Sequence, residues 1–105
     1  MTVRVGVRDG SVYLPAEVYD RYFAGVQAVI VLIRDGSLQI LPVRQMAAGG
    51  CLLKIRNAAG DRVAAAPDVF HARGLADWRQ DGLAARWSSE LGALLIDLPA
   101  QVTAN

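Results

Sequence analysis

Residues 8–19 of this chain read RDGSVYLPAEVY, and a related stretch, RNAAGDRVAAAPDVF, occupies residues 56–70. In each stretch a polar turn precedes a short apolar run, a proline, an acidic residue and further apolar positions. A second apolar segment follows each copy and ends in Leu-Pro, at Leu41-Pro42 and Leu98-Pro99. A unit of roughly 50 residues is too small to close a core alone, so we expect the two copies to complete each other.

The first copy predicts the order strand, strand, short helix, strand, strand. Residues 2–8 alternate between valine and polar or small residues, as a half-buried strand does, and Asp9-Gly10 predicts a tight turn into a strand over residues 11–14. Pro15 suits the first position of a helix that ends by Gly25. Residues 26–33 and 37–41 then predict a buried hairpin.

The second copy predicts the same order with edits. We expect strands over residues 51–56 and 62–65, a helix from Pro67 to Gly74, and a closing hairpin over residues 83–88 and 91–98. Residues 75–82 are polar, have no obvious counterpart in the first copy, and therefore predict an insertion.

These patterns predict a mainly β (α+β) fold, a small barrel built from two tandem β-β-α-β-β repeats with pseudo-twofold symmetry. The predicted organisation is one domain, 1–105, with repeat 1 at residues 1–44, a linker at 45–50 and repeat 2 at 51–100. The predicted core consists of strand positions on the inward faces: Val29, Val31, Ile33, Ile40, Leu53, Ile55, Leu94 and Ile96.

Composition limits the class of protein. The 105 residues are 53% hydrophobic and 20% charged, with a net charge of +1, so neither disorder nor a strong attraction to nucleic acid is indicated. The longest uncharged stretch is far shorter than the ~20 residues that cross a bilayer, so no membrane association is expected. A single cysteine, Cys51, excludes an intrachain disulfide and favours a cytoplasmic location.

The sequence gives no positive sign of an enzyme. Cys51 opens an apolar strand and His71 lies on a helix, and one His with one Cys cannot supply the three or four ligands of a zinc site. No phosphate loop, nucleophile elbow or dinucleotide motif is present. We therefore predict no catalytic residue, no metal and no cofactor.

The repeated stretches carry a resemblance to a known family. Gly-x-Val-x-Leu-Pro-x-Glu-Val after the Asp9-Gly10 turn resembles the signature of the AbrB/MraZ swapped-hairpin proteins, and residues 60–63, GDRV, are similar to the GD box of cradle-loop barrels. The tandem arrangement is most similar to MraZ. The resemblance implies a bacterial DNA-binding transcription regulator, an antitoxin or a small assembly protein.

The arginines at family positions depart from the DNA-binding pattern. The resemblance implies Arg after the turn glycine and at the end of the Pro-x-Glu run, but this chain has Ser11 and Tyr19 in repeat 1. In repeat 2, Arg62 follows one place late and Phe70 takes the second position.

Other arginines offer substitutes. The candidate nucleic-acid contacts are Arg4, Arg8, Arg56 and Arg62, with Arg8 and Arg56 as expected symmetry mates. The alternative is that these arginines form solvated strand faces with local ion pairs to nearby carboxylates.

Two tryptophans occur only in the second copy. Trp78 and its neighbour Arg79, together with Trp87, form a candidate partner interface because Trp and Arg are enriched where binding energy concentrates. The alternative is that these tryptophans cap the core. The sequence thus predicts a non-enzymatic protein-interaction or accessory module that binds a protein partner or itself, with a DNA-binding regulator or antitoxin as the alternative.

Overall fold

Hydrogen bonding between the two repeats determines the architecture. The computed structural model describes residues 3–43 and 50–99, so the predicted linker, apart from Gly50, lies outside the described residues. The first repeat contains β1 (Val3–Arg8), β2 (Ser11–Leu14), α1 (Ala16–Tyr22), β3 (Ala28–Arg34) and β4 (Ser37–Val43). The second contains β5 (Cys51–Ile55), β6 (Arg62–Ala65), α2 (Pro67–His71), β7 (Arg79–Ser88) and β8 (Ala93–Asp97).

The eight strands close into one antiparallel barrel in the order β1-β2-β6-β5-β3-β4-β8-β7. The first hairpin of each repeat pairs with the third strand of the other, β1 with β7 and β5 with β3. Exchanging the repeats leaves this set of neighbours unchanged. The predicted barrel of two interlocked β-β-α-β-β repeats with pseudo-twofold symmetry is therefore confirmed.

The core fills the barrel interior with alternate strand residues. Seven of the eight predicted core positions are buried: Val29, Val31, Ile33, Ile40, Leu53, Leu94 and Ile96. Phe23, directly after α1, and Phe70 of α2 pack into the core, and neither side chain has exposed surface. Burial of this kind contributes about 25 cal/mol per Å² of apolar surface and supplies most of the stability.

Ile55 is the exception, because its side chain is 67% exposed. Val12 and Ala64 pair with each other across the pseudo-twofold axis, so they are equivalent positions of the two repeats. Within the first hairpin Val12 pairs with Val7, and within the second hairpin Ala64 pairs with Leu53. Val7 therefore corresponds to Leu53, and Ile55 corresponds to the turn residue Asp9. The second hairpin is longer than the first, so Ile55 lies beyond the end of the barrel and the core prediction for it is wrong.

The register of the two hairpins also corrects the expected symmetry relation between Arg8 and Arg56. Since Val7 corresponds to Leu53, the next residue, Arg8, corresponds to Lys54 and not to Arg56. Arg56 follows the last residue of β5 and donates its main-chain N–H to Asp61 O at 2.9 Å. The expected symmetry relation between Arg8 and Arg56 is wrong, because it assumed hairpins of equal length.

Residues 75–82 are mostly not an insertion. Trp78 N–H donates to Leu75 O at 3.1 Å, as Val26 N–H donates to Phe23 O at 2.8 Å. Each repeat therefore has a four-residue turn at this point, although Gly25 has a positive φ and Asp77 does not. Leu75 is buried, as Phe23 is. Strand β7 then begins at Arg79 rather than at the predicted Leu83, and a register shift between Val5 and Val7 of β1 accommodates one extra residue of β7.

Neither helix in residues 3–43 and 50–99 has the length and apolar content that crossing a membrane requires.

Candidate functional site

Two of the open grooves in the described residues contain residues that could bind a partner. The first, here called the arginine groove, has a volume of about 200 Å³. Its polar lining residues are Arg4, Tyr13, Arg56, Asp61 and Asp81. It lies beside the first hairpin, where the loop of the second hairpin reaches Tyr13 of β2 and the start of α1.

Two candidate arginines meet at one ring beside the arginine groove. The guanidinium carbon of Arg8 lies 5.5 Å from the ring centroid of Tyr13, and that of Arg56 lies 4.8 Å from the same centroid. Both distances are in the range of a cation–π interaction. Arg8 and Arg56 are therefore neighbours, although they are not symmetry mates.

Carboxylates share this surface with the arginines. Arg8 lies 3.9 Å from Asp81 in an ion pair whose side chains are 42% and 83% exposed, and such a pair contributes little stability. Arg4 Nη1 donates to the carbonyl oxygen of Gly82 at 3.0 Å. The arginine groove is thus of mixed charge, which suits it less to a phosphate backbone than an uninterrupted basic surface would.

Asp61 has a structural role at the edge of this groove. Its carboxylate accepts hydrogen bonds from Asn57 Nδ2 at 2.9 Å and from the main-chain N–H of Ala16 at 2.7 Å. The hydrogen bond from Asn57 is the main cause that lowers the pKa of the carboxyl group, followed by that from Ala16, with the positive charge of Arg56 as a further cause. The Asp of the GD sequence therefore caps the helix of the other repeat.

The second groove, the β5 groove, has a volume of about 370 Å³ and lies between β5 and the segment that joins α1 to β3. Tyr19, Val26 and Leu53, which are all buried, form its floor. Its exposed apolar residues are Leu52 and Ile55, and its basic residues are Lys54 and Arg62. Sequence reasoning missed this groove, because it treated Ile55 as core.

Arg62 belongs to the β5 groove rather than to the other arginines. Its guanidinium carbon lies 3.9 Å from the ring centroid of Tyr19, and its Nη1 donates to Gly60 O at 2.6 Å. The four candidate nucleic-acid contacts therefore do not form one surface. Arg4, Arg8 and Arg56 lie around Tyr13, and Arg62 lines a different groove.

The two tryptophans pack on different helices. Trp87 stacks on Tyr22 with ring centroids 5.2 Å apart and meets Phe23 edge-on at 6.1 Å. Trp78 lies 6.4 Å from Phe70, and its indole N–H donates to Gln80 Oε1 at 3.3 Å. Both side chains are half-buried against the core, and neighbouring Arg79 is exposed.

Groups with catalytic or metal-binding chemistry are scattered in the described residues. No cluster of three or more His, Cys, Asp or Glu residues in residues 3–43 and 50–99 could hold a metal ion. His71 is exposed on α2. Cys51 is half-buried, and burial raises the pKa of its thiol, which disfavours the reactive thiolate at neutral pH.

The arginine groove is thus of mixed charge, and the β5 groove is apolar with a basic rim. No family model, curated protein or solved structure matches this chain.

Proposed function

We propose that this protein is a non-enzymatic interaction module that binds a protein partner through the β5 groove. One observation carries the proposal: two of the large apolar side chains exposed in the described residues, Leu52 at 56% and Ile55 at 67%, line the same groove. Single exposed apolar residues are common on protein surfaces, but two that line the same concave site are typical of binding surfaces.

The barrel itself supports this proposal. The side chain of Ile55 lies beyond the end of the barrel, so it does not pack in the core. The longer second hairpin instead places an isoleucine where the first repeat has Asp9. A binding role gives this apolar residue a physical reason to be at the surface.

The test is site-specific photo-crosslinking in the cells that make the protein. A photoreactive residue at position 52 should trap a defined protein, whereas the same residue at Leu91 should not. Leu91 is the matched control, because its side chain is 50% exposed and does not line the β5 groove.

Affinity for the purified partner then decides the proposal. Ile55→Ser should weaken binding by about tenfold or more, as loss of a central apolar contact does, and Leu91→Ser should leave it unchanged. Equal trapping at positions 52 and 91, or full affinity in the Ile55 variant, would contradict the proposal.

A DNA-binding regulator of the AbrB/MraZ type is the second candidate. The convergence of Arg8 and Arg56 on Tyr13 favours it, since two cations from different repeats lie together on one face. If this candidate is correct, duplex affinity should fall with about 0.9 log units per log unit of salt for each phosphate neutralised. Binding should also require both Arg8 and Arg56. Absence of any duplex binding at low salt would exclude it.

A further inference from the structure

We infer that the occupant of the β5 groove is an extended acidic peptide segment of the partner, which adds as a strand beside Ile55. This inference rests on the proposed function and specifies the chemistry of the partner. Three features of the groove carry it: a free strand edge, an apolar lining and a rim of one charge sign.

The strand edge follows from the hydrogen-bond pattern of β5. Arg56 N–H donates to Asp61 O on the β6 side, and Leu53 N–H donates to Gln27 O at 2.8 Å on the β3 side. Because main-chain groups of a strand alternate in direction, the N–H and C=O of Ile55 point to the same side as those of Leu53. The pairing of β3 with β5 stops before Ile55, so this edge has no partner strand in the described residues.

The first repeat lacks such an edge. Its equivalent strand, β1, pairs with β7 as far as Arg8, where the tight turn at Asp9 begins. In the second repeat β5 continues one residue pair further, to Ile55 opposite Arg62, and the chain that follows α1 does not extend beside it. The longer hairpin therefore creates a short free edge that the symmetric fold does not need.

The lining of the groove specifies the side chains of the peptide. Leu52 and Ile55 give aliphatic contact on the rim, and buried Val26 and Leu53 form the floor between them. A strand alternates its side chains between two faces. One aliphatic residue of an added strand would enter the groove, and its neighbours would lie near the rim.

The rim selects negative charge. Lys54 and Arg62 are its charged groups among residues 3–43 and 50–99, and no Asp or Glu of these ranges lines the groove. The same feature disfavours a second copy of this chain, because a twofold contact would bring each Lys54 and Arg62 toward their own counterparts. Charge complementarity of this kind sets specificity and the rate of association.

The experiment is selection of binders from a display library of random peptides on the wild-type protein, followed by synthesis of the most enriched peptide. We expect Glu or Asp beside aliphatic residues in the enriched sequences. Lys54→Glu should reduce affinity about tenfold, and raising the salt concentration should weaken wild-type binding. Arg34→Glu is the matched control, because Arg34 is exposed but outside the groove, and it should have no effect.

The possible outcomes distinguish failure of the acidic-peptide inference from failure of the proposed interaction module. Enrichment that depends on Ile55 but shows no acidic preference would overturn the acidic peptide and leave the interaction module intact. Enrichment that Ile55→Ser does not reduce, or no enrichment at all, would overturn both. A wild-type dimer that Ile55→Ser converts to monomer would identify a second copy as the occupant and overturn the peptide. An N-methyl group on the peptide amide opposite Ile55 should abolish binding if the strand forms.

Discussion

Asp61 of the second repeat accepts a hydrogen bond of 2.7 Å from the main-chain N–H of Ala16, the first residue of the helix in the other repeat. Helix α1 has Pro15 at its N-cap and no side-chain cap of its own, so Asp61 satisfies an N–H that would otherwise lack a partner. The second repeat therefore caps the helix of the first, and this hydrogen bond is one of the contacts that hold the two repeats together.

Asp61→Asn should make stability less dependent on pH. Because the pKa of Asp61 is lowered in the folded protein, its charge stabilises the fold above the ordinary carboxyl value of 3.8. That contribution is lost as the pH falls through the lowered folded pKa.

The measurement is Tm against pH for the wild type, Asp61→Asn and Asp61→Ala. The Asn variant should melt below the wild type at neutral pH, and the gap should close in acid. Asp61→Ala should melt lowest, because it also removes the acceptor for Ala16. A gap between wild type and the Asn variant that stays constant down to acid pH would contradict the role of the charge.

Val31→Asp and Ile55→Asp should give opposite results, although the sequence pattern places both residues in the core. Val31 is 5% exposed, and an unpaired carboxylate there should cost about 5 kcal/mol or more, comparable to the whole stability of a small domain. Ile55→Asp should fold and change the free energy of unfolding by less than about 1 kcal/mol. Circular dichroism melts decide this, and unfolding of the Ile55 variant would show that its position is core after all.

Local signals predicted the strands and turns of the barrel, and the length of the second hairpin explains the errors at Ile55 and Arg56. Asp9-Gly10 and the proline at the start of each helix specify their turns through neighbouring residues alone. Helix α2 begins at Pro67 as predicted, and α1 begins one residue after Pro15, which is its N-cap. Ile55 continues the alternation of Leu53, so no local pattern reveals that the barrel ends before it. The β5 groove could not be predicted, because Val26 and Leu53 meet only when β3 and β5 pair.

Trp78→Ala should lower stability, since the structure packs this side chain against Phe70 in the position that Val26 holds in the first repeat. Loss of a half-buried tryptophan should cost about 3 kcal/mol, somewhat less if the site collapses. Arg79→Ala, an exposed neighbour, should stay within about 0.5 kcal/mol of the wild type.

Denaturant melts and sizing of the Trp78 variant decide between packing and partner contact. A Trp78 variant with unchanged stability and weakened association would instead support the partner interface expected from the sequence. That interface remains a prediction.

Gly10→Ala should destabilise the protein more than Gly25→Ala does. Both glycines have left-handed backbones, with φ of +78° and +79°, so a side chain at either position costs about 1–2 kcal/mol of backbone strain. A Cβ at Gly25 would meet no atom within 4 Å, whereas a Cβ at Gly10 would lie 3.0 Å from Cα of Pro67, at the start of the other repeat's helix.

Main-chain atoms of a proline cannot move aside cheaply, and Ala66 N–H also donates to Gly10 O at 2.9 Å across the same contact. The free energies of unfolding should therefore differ by at least about 1 kcal/mol between the two variants. Equal losses would mean that the first hairpin can shift away from Pro67, and that the close approach between the repeats is not required for the barrel to form.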